Sequence, residues 1–374
     1  MTVAKVPGDR FASYLVYPLT WHLVKPSRLL EVALERSLVT KSVPPVSFSS
    51  SMNTEARYLI RLAAFAVAIL LFFCTLSPSG FLSTANLSSM AYQMPEFAML
   101  ALAIHPTMLT GGIDLSVVSV ANFSAIVAAL TMRSMPPQFI LVAMFIGVLI
   151  GCLAGAMNGL LVASGLPAIL ATLGTMQLFA GLAVVLAYST GDSGASVTGI
   201  PGIYSNILNG SVFGVPTPLI AFLLTGVLIY VITARTPLGK QMRLFGTNPR
   251  AAVFAGIPTF RVVVTTYTLS GFVASCAGLV ILARANSANA DYGTSYLLLS
   301  VLINILAGVN PNGGSGTVFG LILAVLSLQF ISSGLNILAV NVYARDLTYG
   351  ALLVTVMVVN RLQGKIHSTR PRTG

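Results

Sequence analysis

Three side chains able to do acid–base chemistry lie inside long apolar stretches: Glu96, His105 and Asp114. An ionisable group at membrane depth is costly unless it is paired, wet or functional, so each is a candidate by position alone. Their spacing does not assemble a catalytic set. Glu96 and His105 stand on opposite sides of an ideal helix, and the other histidines, His22 and His367, fall near the two ends of the chain. Glu96 keeps three readings: facing a cavity, pairing with His105, or sitting near an outer surface. Asp114 precedes an apolar run as Asp-x-Ser, the pattern of a helix cap, after a tight turn at Gly111-Gly112. The chain lacks a G-x-x-x-x-G-K-[ST] loop, so it does not bind ATP by a P-loop, and it lacks H-E-x-x-H and paired carboxylates. No residue is expected to be catalytic. Cys74, Cys152 and Cys276 lie in apolar stretches without metal-ligand spacing and read as small buried residues, with no metal expected.

A second group of side chains could meet a polar solute. Gln93, Asn122, Asn158, Thr172, Thr175, Gln177, Asn304 and Gln329 interrupt otherwise apolar segments. Amides offer donors and acceptors together, which suits a hydroxyl-bearing molecule. The competing reading of each is a hydrogen bond between helices.

A third feature is a polar, cationic segment between two apolar runs, Gly239 to Ile257. A helix is expected to end near Gly246. Asn248 is a good N-cap and Pro249 suits the first helical position. Arg250, Ala251 and Ala252 then belong to a short helix closed by Gly256. The segment reads as a short helix at the membrane surface, with small residues on one face and cations around it, shaped for a groove on a soluble partner.

The elements that carry these groups follow from composition. Of 374 residues, 56% are hydrophobic and 8% charged, against roughly 25% charged in a soluble domain. Lipid as solvent removes the problem of hiding that surface. The apolar region from about 58 to 360 has room for about ten spans of about 20 residues, an all-α polytopic membrane bundle. Spans are expected near 58–77, 91–109, 116–132, 138–162, 166–189, 216–234, 262–282, 295–309, 316–334 and 346–360. The second carries Pro95 and Pro106 and is expected to be broken. Gly147, Gly151, Gly155 and Gly159 line one helix face, a stripe that lets backbones approach closely.

Charge orients the bundle. Arg235, Lys240, Arg243, Arg250 and Arg261 lie in one segment without acids, and the tail after Asn360 is likewise basic. Both belong on the cytoplasmic side, as the positive-inside rule requires, which puts both termini there. The net charge of +11 reflects this rule and not nucleic acid. Residues 1–57 hold seven Lys/Arg and four Asp/Glu. They read as a disordered extension or a mis-called start ahead of Met52, or else as an interfacial helix near 26–41.

Four motifs then carry a family resemblance. Gly246-Thr247-Asn248-Pro249-Arg250-Ala251-Ala252 through Gly256 resembles the coupling-helix motif of binding-protein-dependent ABC permeases of the ribose type. Thr110-Gly111-Gly112-Ile113-Asp114-Leu115-Ser116 is similar to their T-G-G-I-D-L-S signature, and Thr172-Leu173-Gly174-Thr175 to their T-L-G-T. The stretch from Gly308 to Gly316 is similar to the Gly-rich segment before their ninth helix. Val118, His105-Pro106 and Val309 depart from the family pattern. The resemblance implies a permease subunit in a bacterial inner membrane. It would work with an ATP-binding cassette subunit that holds ATP and Mg, a periplasmic substrate-binding protein, and a second permease copy or paralogue. It implies a monosaccharide or related polyol as cargo. The alternatives are another small solute such as autoinducer 2 or an amino acid, or a secondary transporter.

Overall fold

The computed structural model describes residues 48–368 apart from 190, 192 and 193. Residues 1–47, most of the expected N-terminal extension, and the end of the basic tail from 369 lie outside the described residues.

Long apolar runs make helices because lipid leaves the backbone no partner but itself. In chain order they are α1 (Phe48–Leu76), the one-turn α2 (Pro78–Phe81), α3 (Thr84–Leu109), α4 (Val117–Ser134), α5 (Ile140–Ala163) and α6 (Ala168–Tyr188). A short α7 (Gly202–Leu208) precedes α8 (Thr217–Tyr230), which continues through a π-helical turn, Val231–Arg235. Then come α9 (Pro237–Thr247), α10 (Pro249–Phe254), α11 (Thr259–Ala285), α12 (Thr294–Leu306), α13 (Val318–Ile337) and α14 (Val342–Ser368). Two small antiparallel ribbons complete the described residues. Strand β1 (Ser196–Val197) pairs with β4 (Ala288–Asn289), and β2 (Ser211–Val212) with β3 (Val215–Pro216).

Seven helical segments among the described residues are long and apolar enough to cross a membrane. The other three expected spans fall on α3, α12 and α14. Of these, α12 is a shorter apolar helix, Thr294–Leu306. The helix that carries the last expected span, α14, runs on past 360 to Ser368, into the basic tail.

The expected break in the second span is not there. Helix α3 is continuous from Thr84 to Leu109 with Pro95 and Pro106 inside it. Each proline removes one N–H and normally kinks a helix at a cost of about 3 kcal/mol. Packing offsets that cost, because every residue from Met94 to Leu109 is buried. Thr107 also donates its hydroxyl to the Ile104 carbonyl, 2.8 Å away. A helix enclosed by protein need not be apolar on every face, so α3 can carry Glu96 and His105.

Around α3 the bundle is held by backbone-to-backbone contact. Of the glycine stripe of α5, Gly151, Gly155 and Gly159 lie on α11, and Gly147 lies against Ser124 and Ala128 of α4. A Cβ on Gly151 would stand 2.6 Å from the Gly271 carbonyl oxygen, and one on Gly159 2.7 Å from the Val264 Cα. A Cβ on Gly155 would collide with the Tyr267 carbonyl oxygen. On another face of α11, a Cβ on Gly278 would stand 2.8 Å from the Ala121 carbonyl carbon of α4. No larger residue fits these crossings, which is the physical basis of small-residue helix packing.

Gly155→Ala therefore overpacks the α5–α11 crossing, at a cost of about 1–3 kcal/mol. Gly181→Ala on α6 has open space and gains helix propensity of about 0.5–1 kcal/mol. Thermal unfolding of the full chain in detergent checks this: the first variant melts lower than wild type, and the second melts at or above it.

Candidate functional site

The short helix α10 forms where its capping residues direct. Asn248 lies in the extended region, and its side-chain oxygen accepts the Ala251 N–H at 3.1 Å. Pro249 opens the helix, and Gly256 leaves it at φ +75°. Arg250 and Ala251 are exposed, while Ala252 is 3% exposed and turns inward. The outward group is an aromatic one. Phe254 is 93% exposed, beside the exposed Val253. The sequence pattern stresses small residues here, and over six residues periodicity cannot tell which side chain protrudes.

Gly246 sits behind this helix, away from its exposed side chains. It is buried, and a Cβ there would collide with the Leu109 carbonyl oxygen at the end of α3 and stand 2.7 Å from the Gly314 nitrogen. Gly313, at φ +93°, has no room for a Cβ, which would stand 2.7 Å from the Gly246 Cα and 2.8 Å from the Gly111 nitrogen. The Gly314 N–H donates to the Leu109 carbonyl at 3.0 Å, and Arg243 donates to the Gly316 carbonyl at 2.8 Å. Gly111 turns at φ +81°, with the Asn312 carbonyl 3.0 Å from where its Cβ would be. Three of the sequence motifs, far apart along the chain, thus meet in one glycine junction. It ties α9 and α10 to the end of α3 and to the loop before α13.

Asp114 completes the turn that follows. It is buried, and its carboxylate accepts the Ser116 N–H at 3.0 Å, the Ser116 hydroxyl at 2.7 Å and the Ser270 hydroxyl of α11 at 2.9 Å. Ser116 in turn accepts from Asn158 of α5 at 2.7 Å. The carboxylate closes a local turn and links two helices. Gly112 stands against the Tyr267 hydroxyl, which leaves it no space for a side chain.

The polar residues inside the spans separate into groups. Asn304 of α12 donates to the Ala101 carbonyl at 2.8 Å and the Ser300 carbonyl at 2.9 Å, and its oxygen meets His105 Nδ1 at 3.3 Å. For that oxygen to accept, the ring carries its proton on Nδ1. Asn122 donates to the Ala290 and Tyr292 carbonyls, both at 2.9 Å. Thr172 accepts the Leu115 N–H at 3.2 Å and donates to the Ala168 carbonyl at 2.8 Å, and Thr175 donates to the Thr172 carbonyl at 3.2 Å. These groups, like Asn158, engage protein partners. Gln177 is exposed on α6. Gln93, which donates to the Ser89 hydroxyl at 2.6 Å, and Gln329 line a cavity of about 460 Å3 at the other end of the bundle.

Glu96 has a partner that the pattern of its own segment does not show. Its carboxylate pairs with Arg284 from the last turn of α11, and the Tyr296 hydroxyl donates to its other oxygen at 3.2 Å. It does not pair with His105. Glu96 stands midway along α3 and Arg284 in the last turn of α11, so position along the helix gives no signal of the pairing.

A family model described as the permease component of branched-chain amino acid transport systems matches residues 86–357. The autoinducer 2 import system permease protein LsrD of Yersinia pseudotuberculosis is 31% identical over 314 residues, 82% of this chain and 92% of that protein. LsrD of Escherichia coli is 30% identical over 304 residues, 80% of this chain and 90% of that one. A solved inward-facing structure of a metal-chelate type ABC transporter is 15% identical, with a TM-score of 0.43, covering 83% of this chain and 100% of that one.

Removing the Asp114 carboxylate with Asp114→Ala orphans the Ser116 and Ser270 donors and costs about 1–3 kcal/mol. Asp114→Asn keeps an acceptor for Ser116 and stays near wild type. Thermal unfolding and uptake measured on both variants check this. An Asn variant as damaged as the Ala variant would show that the charge itself is required.

Proposed function

The chain belongs to the family of branched-chain amino acid transport system permease components, and from that premise we propose that it carries a monosaccharide or related small polyol inward. It is the permease subunit of an ATP-binding-cassette importer, a multi-pass membrane protein. The sugar-like class of cargo is supported by relatives named for autoinducer 2 import. It is supported also by the T-G-G-I-D-L-S and G-T-N-P-R-A-A runs.

Family membership implies an ATPase and a substrate-binding protein as partners in general terms. The finer reading is that one ATP-binding cassette subunit, holding ATP and Mg, docks on α10. A periplasmic binding protein meets the opposite face, and a second permease copy or paralogue completes the membrane part. This chain binds no cofactor of its own. Its place is a bacterial inner membrane, with α10 and both termini on the cytoplasmic side, where the basic segments belong.

The observation that carries the docking reading is the form of α10. An apolar knob, Val253 and Phe254, projects beside Arg250, while the inner face is closed by Ala252. The base is anchored on glycines to α3 and to the 308–316 loop. A groove on the partner that closes on ATP would grip Phe254, and the junction would pass the motion to the spans.

Phe254→Ala tests this. Truncating an aromatic anchor costs about 2 kcal/mol or more, roughly a 30-fold loss of affinity. The tagged full-length chain is purified together with its co-expressed ATPase. Wild type retains the ATPase, and Phe254→Ala loses it with an unchanged gel-filtration profile of the permease. A wild-type chain that transports sugar into vesicles with no ATPase bound would overturn the reading.

A further inference from the structure

The cavity lined by Gln93 and Gln329 lies at the end of the bundle away from α10, between α3, α12, α13 and α14. Its volume of about 460 Å3 falls in the range of small-molecule sites, about 300–1,000 Å3. Membrane helices that only pack against one another have no reason to leave such a space or to line it with amides and phenols.

Gln329 is the deciding group. It sits inside α13, is 3% exposed, and its side-chain oxygen is buried with no hydrogen-bond partner. Buried acceptors are rarely left unpaired, and because the Gln329 amide forms part of the cavity wall, a turn about its side-chain bonds would bring this oxygen to a ligand hydroxyl. Asn336 lies on the same helix nearer the mouth, and Tyr292, Tyr296 and Tyr349 supply ring faces and phenolic oxygens. The charges at the cavity are closed on each other. Arg284 is paired with Glu96, which also accepts from Tyr296. At the rim Arg345 and Asp346 bring one charge of each sign. A site of amides, phenols and aromatic faces without a net charge suits a neutral ligand with several hydroxyls and apolar C–H faces.

We propose that this cavity binds one uncharged polyhydroxylated molecule, a monosaccharide or cyclic polyol, with Gln329 accepting a ligand hydroxyl at its inner end. The site lies within a single chain and needs neither the ATPase nor the binding protein. The choice of ligand class rests on the importer reading above; the cavity and its unpaired acceptor do not.

The test is equilibrium dialysis of the full-length chain in detergent, without partners, against radiolabelled ribose, glucose, ribitol, myo-inositol and autoinducer 2, with ribose 5-phosphate as a charged control. Saturable binding of one molecule per chain is expected for at least one uncharged probe and not for ribose 5-phosphate. Gln329→Leu should weaken it by about tenfold or more while gel filtration and ATPase co-purification stay unchanged. Asn336→Leu, nearer the surface, should weaken it as well and serves where Gln329→Leu fails to fold. Absence of saturable binding for every uncharged probe, or binding that neither variant weakens, overturns the proposal. If that happens while the ATPase still co-purifies and uptake proceeds, the cavity assignment alone falls. A chain that does not retain the ATPase brings down the importer reading whatever it binds.

Discussion

Two backbones can touch only where no side chain stands between them, and the architecture of this chain depends on that constraint at one point above others. Gly246, Gly313 and Gly111 bring three segments together closely enough that a single Cβ on Gly246 or Gly313 would collide. The Gly314 N–H closes the contact on the Leu109 carbonyl. Because α3 is buried along most of its length, anything fixed to its end is fixed to the centre of the bundle. Helix α10 is short, six residues, far below the length at which a helix is stable alone. Its position is set by its cap at Asn248 and by this junction.

The same economy of volume recurs between α5 and α11, where glycines replace side chains along the crossing. In lipid there is no water-driven hydrophobic gain between helices, so close packing and hydrogen bonds carry the association. The buried polar side chains supply those bonds. Asn304 ties α12 to α3, Asn122 ties α4 to the segment after β4, and the Asp114–Ser116–Asn158–Ser270 set ties the turn after α3 to α5 and α11. Glu96 and Arg284 do the same near the opposite end, as a pair that neutralises itself.

Much of this was legible in the sequence, for physical reasons. An apolar run of about 20 residues has few alternatives to a spanning helix, so the all-α membrane class needed only composition and segment length. Caps are local, so Asn248, Pro249 and Gly256 delimited α10 correctly. What is non-local was not legible. Glu96 and Arg284 stand 188 positions apart, and nothing in either segment names the other. Gly246 read as part of a docking surface because the glycine contact that buries it comes from other motifs. Pro95 and Pro106 read as a break because the packing that holds α3 continuous is supplied by its neighbours. A buried amide looks the same in sequence whether it meets a carbonyl, as Asn304 does, or a cavity, as Gln329 does.

The central claim is that α10 and the loop before α13 move as one body through the glycine junction. Pulsed electron–electron distance measurement tests it directly, with spin labels on Arg250→Cys and Asn312→Cys, both at exposed positions, in a chain whose three native cysteines have been replaced. The full complex with its ATPase is measured without nucleotide and with ATP bound. The account predicts one narrow distance distribution that is the same in both states, while labels on α10 and on α6 change their separation. A 250–312 distance that shifts or splits when ATP binds would show that α10 moves independently of the junction, and would contradict the account.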